Sequence, residues 1–279
     1  MNLWKRQILA IIRIDLAKTF FAKRGLWIYF LAFAPAIPMM LHGIFLPADR
    51  VREGFSQDPL AFAGIFQFFY LRIAIFFGCV GIFMNLFRGE MLDKSLHYYL
   101  LAPMRREVLV VGKFLSGLIA AVTIFGAGVI VQWIAMDVNH PRDLIYAYMF
   151  SGPGFSHLLS YLLAATLACI GYGSVFLWAG VRYRNPLIPA AIILVWEAIN
   201  PFLPSILKKV SIIYWLKSLC PVSLPITGND KSNFLTLLVT DISPAPVSVA
   251  AINLLVLAGF VLAWAAMRAR RVEIGYGTE

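Results

Sequence analysis

The chain has 279 residues, of which 61% are apolar and only 14% charged, and its formal net charge is +10. A soluble domain runs nearer half apolar and a quarter charged; here the apolar residues gather in long, charge-poor runs, which excludes a large soluble core. The positive balance then reads as a basic cytoplasmic rim rather than a nucleic-acid surface.

Residues 3–22 pattern as an interfacial helix. Ile8, Ile11, Ile12, Leu16 and Thr19 share one face, while Arg6, Arg13 and Lys18 lie off it. Asp15 interrupts the stripe and Ile14 falls outside it. A plain basic flank that sets topology is the alternative. No cleavable signal peptide is evident before the first long apolar run.

Six runs can cross a hydrocarbon core, at about 25–46, 62–87, 112–134, 158–181, 187–207 and 246–267. Backbone amides in lipid must bond within their own segment, so each run is expected to be a helix. The whole chain, 1–279, thus reads as a single all-α integral membrane domain with six transmembrane helices. Orientation follows from Lys and Arg. With both termini cytoplasmic, the inner side collects Lys5, Arg6, Arg13, Lys18, Lys23 and Arg24. It also takes Arg88, Lys94, Arg105, Arg106, Lys113, Arg182, Arg184 and the tail arginines. That is more than twice what the outer connections hold.

The connection 208–245 is too long for a turn and too apolar for a solvated loop. Ser211–Leu219 and Phe234–Val239 are each too short to cross, and Pro221, Pro225, Gly228, Pro244 and Pro246 bound them. They are expected to be short outer-leaflet helices that cap or dip into the membrane.

Catalytic and metal signatures are absent. There is no Gly-x-x-x-x-Gly-Lys-[Ser/Thr] phosphate loop and no His-Glu-x-x-His. Cys79, Cys169 and Cys220 show no paired spacing. His140 with Asp137, Asp143 and His157 offers at most a weak outer metal site; polar residues at helix ends account for them as well. The chain is read as no enzyme and as carrying no cofactor of its own.

The most informative stretch is the inner connection from Arg88 to Lys113. An acidic start (Glu90, Asp93) leads to a short apolar helix whose face carries Leu96, Tyr99 and Leu100. Pro103 stops it, and Arg105, Arg106 and Glu107 then stand at the membrane boundary. A loop that merely joins two spans explains the arginines but requires neither the apolar face nor the acids.

This segment resembles the permease subunits of type-2 ATP-binding-cassette exporters. Glu90 and Asp93 match the family's acidic positions, and Ser95-Leu96 stands for Thr-Leu. Leu100 and Leu101 match the Leu-rich part, Pro103 the Pro, Glu107 the following acid, and Gly112-Lys113 the start of the next span. Lys94, His97 and Ala102 depart from the family's Gly, Glu and Thr. The layout of six spans, an N-terminal helix and a long capped fifth connection is also similar. The resemblance implies that segment 89–104 is a coupling helix docking on a separate cytoplasmic P-loop ATPase, which would hold ATP and Mg. Glu90, Asp93, Leu96, Tyr99, Leu100, Pro103, Arg105, Arg106 and Glu107 would form that interface. It further implies a second permease copy or a homologous permease as partner, an inner-membrane location and an export direction.

Two charges fall inside predicted spans. Counting from the inner ends at about 1.5 Å per residue, Arg72 lies about 22 Å deep and Glu197 about 15 Å. They are expected to pair, or to face one polar cavity, because a lone charge at that depth costs at least about 2.5 kcal/mol. Asn200, Pro201 and Pro204 mark a break after Glu197, and Asn253 is a candidate for bonding between helices. Two rival functions stay open: an ion-gradient-driven secondary transporter, which calls for several buried carboxylates and an internal repeat, and a non-transporting membrane anchor or assembly protein.

Overall fold

The structure is a computed structural model that describes residues 3–21, 25–45, 58–92, 99, 101, 104–138, 140–183, 185, 187–222 and 245–270. The regular elements among them are all helical. Four helices are long and apolar enough to cross a membrane, and the chain is an all-α membrane protein.

Helix α1 is Leu3–Phe21. The first predicted span is a pair of shorter helices, α2 (Leu26–Phe33) and α3 (Ala36–Phe45), separated by a turn at Ala34–Pro35. Pro35 has no amide proton to carry the ladder through. The second span is one 34-residue helix, α4 (Asp58–Met91). Next come α5 (Arg106–Met136), the single turn α6 (Arg142–Tyr146) and α7 (Gly154–Arg182). The fifth predicted span opens with a 13-residue α-helix, α8 (Leu187–Ile199), which gives way to a 3₁₀ turn at Asn200–Phe202. Pro201 sits where the α-helix gives way. Two short helices follow, α9 (Ser205–Lys208) and α10 (Ile212–Leu219), and α11 (Val247–Ala269) closes the described chain. The predicted outer helix at Phe234–Val239 lies outside the described residues.

Helix α5 begins six residues before the predicted span at 112. Its 31 residues rise about 46 Å against a hydrocarbon core of about 30 Å. Hydropathy locates the lipid-compatible part of a helix and is blind to backbone that continues into the polar region.

The core is built where α4, α5 and α7 meet. Phe62, Phe66, Tyr70 and Phe83 of α4 are sealed against Phe125 and Trp133 of α5 and Tyr161 and Tyr172 of α7. Phe62 packs between Trp133 and Tyr161 at centroid distances of 5.1 and 4.8 Å. Trp133 is thus a core residue. Small residues let the backbones approach: a Cβ on Gly128 would lie 2.6 Å from the Ala32 carbonyl oxygen and 2.4 Å from the Tyr70 hydroxyl. Helix α1 lies along α5, and α11 packs on α7 while leaving Ile252, Val256, Phe260 and Trp264 exposed.

Helix α4 is not α-helical throughout. Its turns widen to π geometry at Phe66–Ala74 and again at Val80–Met84. Three polar side chains leave the first π stretch and each reaches a backbone carbonyl on another segment. Gln67 donates to Val222 (3.0 Å), Tyr70 to Phe125 (2.6 Å) and Arg72 to Glu197 (3.5 Å).

Candidate functional site where three helices meet

Helix α1 turns one face to α5. Ile11 and Asp15 are its buried residues, and Ile8, Ile12, Leu16 and Thr19 flank them half-buried. Gly112 of α5 makes room for this contact: a Cβ there would stand 2.9 Å from Ile11 Cδ1. One residue on, Lys113 is fully buried, with Nζ 3.3 Å from Asp15 Oδ2 and 2.8 Å from Glu90 Oε2. Asp15, which breaks the apolar stripe in the sequence, is therefore the charged centre of the α1–α5 contact.

The cluster extends further. Ser116 donates to Asp15 at 3.4 Å, and Lys18 stands 3.7 Å from Glu90 Oε1. The Lys113 ammonium also faces two aromatic rings, Tyr99 at 4.9 Å and Phe87 at 5.5 Å from the ring centres. Burial, followed by the nearby Glu90 and Asp15 carboxylates and the hydrogen bond to Glu90, pushes the Tyr99 phenol well above its usual range. Four segments thus converge on one buried ammonium: α1, the C-terminal end of α4, the connection after it at Tyr99, and the first turns of α5. A buried ion pair of this kind adds little net stability, but removing one member leaves an uncompensated charge.

Of the proposed coupling residues, Glu90 and Tyr99 belong to this cluster. Arg105 lies 5.1 Å over the Trp4 ring of α1. Arg106 donates to the Ala269 and Arg270 carbonyls (3.3 and 2.8 Å) at the end of α11, and Glu107 pairs with Arg270. A cation at a helix C-terminus satisfies carbonyls that have no partner within the helix. Asp93, Leu96, Leu100 and Pro103 lie outside the described residues. Leu101 is exposed.

Beside the cluster, between α1 and the C-terminal half of α4, lies a cleft of about 190 Å³. Asp15, Lys18 and Glu90 form its charged wall, Asn85 and Gly89 line it from α4, and Gly25 is also in its lining.

Deeper in the membrane, Arg72 and Glu197 meet through the Glu197 main chain, the guanidinium donating to its carbonyl at 3.5 Å. The Glu197 carboxylate is directed elsewhere. It accepts from the Ser211 hydroxyl and from the backbone amides of Ile212 (3.0 Å) and Ile213 (3.1 Å), capping the N-terminus of α10. Asn253 bonds to Val249 of its own helix.

At the opposite end of α4, buried Asp58 pairs with His140 at 2.9 Å. Asp137 stands near both; burial raises its carboxyl to about 6, with Asp58 adding and His140 opposing. His157 is bonded to Tyr148 instead (2.9 Å). Among the described residues no group of three or more His, Cys, Asp or Glu could hold a metal ion.

Two site residues escape a reading by hydropathy: Asp15 and Asp58. Each is an isolated acid beside an apolar run, which is the available signal, but nothing in the local pattern names its partner about 80 to 100 positions away. No protein-family model matches the chain, and no curated protein matches it.

Proposed function

We propose that this chain is the transmembrane permease subunit of an ATP-binding-cassette exporter, powered by a separate cytoplasmic ATPase. The observation that carries this reading is the convergence on Lys113. The short connection between two long helices is held by Glu90 and Tyr99 at its ends and sides, and α1 is clamped to the same point through Asp15. An ordinary loop needs no such mounting. A segment that must pass force from a docked ATPase to the spans does, because rigid coupling requires packed, bistable contacts rather than a flexible tether.

In this account six spans cross the inner membrane with both termini cytoplasmic, the pairs α2–α3 and α8–α10 completing the two broken spans. Leu96, Tyr99 and Leu100 press on the ATPase; Arg105, Arg106 and Glu107 lash the segment's far end to α1 and α11. A second permease, identical or homologous, completes the transporter. ATP and Mg belong to the partner. Nucleotide shifts the permease only as far as it favours one docked conformation over the other.

A gradient-driven transporter draws on one observation, the burial of Asp15, Asp58, Glu90 and Glu197. Each of these acids is met by a lysine, a histidine or helix amides, which leaves the reading second. The test is mild extraction of the tagged protein at native expression, with copurifying proteins identified by mass spectrometry. A soluble P-loop ATPase should accompany the parent and be lost when Leu96, Tyr99 and Leu100 are changed to Asp. Its absence with the parent under several mild conditions would sink the exporter reading.

A further inference from the structure

The break between α8 and α10 lies in the middle of the bundle rather than at its edge. Ile212, the first residue of α10, abuts the middle of α7, where a Cβ on Gly171 would stand 3.2 Å from Ile212 Cγ2. From there α10 runs toward the N-terminal end of α4, since the Val222 carbonyl just past it accepts from Gln67. Helices α8 and α10 therefore meet as half-helices deep in the bundle. The residues between them are held at the break. Asn200 donates to the Lys208 carbonyl (3.1 Å), Trp215 to the Lys209 carbonyl (2.8 Å) and Ser211 to the Glu197 carboxylate. The middle of α7, a 29-residue apolar helix, falls among lipid tails, and so does this break.

That stretch is ill suited to lipid. Its backbone is a 3₁₀ turn, the extended residues Leu203 and Pro204, and the single turn α9. Non-helical backbone at such depth is found buried in protein or beside water. This chain does not bury it: Phe202, Ile206 and Val210 are exposed, and so is Lys209. Lys209 decides between the remaining surroundings. An ammonium facing hydrocarbon is heavily penalised. Glu197, the one acid between 187 and 222, is turned into the amides of α10. Among the described residues the other acids stand in α1 or at or beyond helix ends, so a second copy packed dry against the break would bring no counter-charge to this depth. Water satisfies both the irregular backbone and the ammonium. We infer that the break between α8 and α10 lines a water-filled vestibule at the middle of the membrane, and that Lys209 draws anions into it. The inference needs only that the chain spans a membrane and stands apart from the ATPase reading.

Thiol labelling tests both halves of the inference. Cys79 and Cys169 are buried and Cys220 is half-buried, so the background is Cys220→Ser. A cysteine is placed at Val210, beside Lys209, and for comparison at Phe260, an exposed residue in the middle of α11. Membranes opened to reagent on both faces are treated with methanethiosulfonates that carry a sulfonate or a trimethylammonium. Labelling is followed by mass spectrometry, each rate taken relative to that of a free thiol. Because the thiolate reacts and forms in water, Val210→Cys should label at least about tenfold faster than Phe260→Cys. The sulfonate should outpace the trimethylammonium by about fivefold at Val210→Cys, and Lys209→Gln should remove that preference. Ile206→Cys repeats the measurement if Val210→Cys folds poorly. Labelling as slow as at Phe260→Cys would overturn the vestibule. Fast labelling without a charge preference, or with one that Lys209→Gln leaves intact, would overturn the anion site.

Discussion

Lys113 and Glu90 lie 2.8 Å apart, ammonium to carboxylate, with the lysine wholly excluded from solvent. Glu90 lies at the end of α4, and Lys113 lies about two turns into α5. Their contact closes the base of the connection between these helices, and Asp15 brings the N-terminal helix to the same point.

Removing the cation should therefore cost more than removing the whole cluster. Lys113→Met leaves two buried carboxylates facing each other and is expected to destabilise the protein by about 3–5 kcal/mol. Adding Asp15→Asn and Glu90→Gln to Lys113→Met should restore a large part of that loss. Thermal unfolding in one detergent measures both. A triple variant less stable than Lys113→Met would show that the charges are not coupled.

Seating of α1 depends on the missing side chain at Gly112. Gly112→Leu should push Ile11 out of its contact with α5 and carry Asp15 away from Lys113. Hydrogen exchange should then rise across 3–21 with little change in α7 and α11. Uniform protection in the variant would mean that α1 is held mainly by other contacts.

Glu197 acts as a cap for α10. Glu197→Ala strips the acceptor from the amides of Ile212 and Ile213 and from Ser211. The expected cost is about 1–3 kcal/mol, with faster exchange at those two amides. Arg72 donates to the Glu197 main-chain carbonyl, so the same substitution should leave that bond in place.

The pH response at the N-terminal end of α4 is set by Asp137, with Asp58 and His140 nearby. Its carboxyl is raised to about 6 by burial, above the value of about 3.9 expected for an unfolded chain. The folded state thus holds this proton more tightly. The associated stability is fully present below pH of about 4 and is lost as pH rises through about 6. Asp137→Asn should gain in melting temperature over the parent at pH 8, and that advantage should shrink through pH values of about 6 to 5 and vanish near about 4. An advantage that is flat with pH would remove Asp137 as the source.

Much of this architecture is visible in composition alone, because lipid allows few alternatives. Helices α4, α5, α7 and α11 coincide with predicted spans to within about a turn or two, since long apolar runs have only one way to satisfy their amides. Breaks are harder to locate. Pro35 and Pro201 announce them, but hydropathy stays high through both. The π stretches of α4 leave no local signature, and the tertiary bonds that Gln67, Tyr70 and Arg72 make from the first of them are equally silent in the local pattern. The site divides in the same manner. Glu90, Tyr99 and the Arg105-Arg106-Glu107 triplet stand out by motif, whereas the role of Asp15 depends on a lysine 98 positions away. A depth count brings Arg72 near Glu197, yet it is blind to the α10 amides that take up the carboxylate.

The central claim is that the inner connection, mounted on Lys113, touches an ATPase. A photo-crosslinking amino acid placed at Leu96 in intact cells tests it most directly, with a second placed at exposed Phe150 near the other end of the helices as control. The account predicts a crosslinked soluble P-loop ATPase from position 96 and none from 150. Crosslinking from 96 only to lipid or to other proteins, in cells where the protein is folded and expressed, would contradict it.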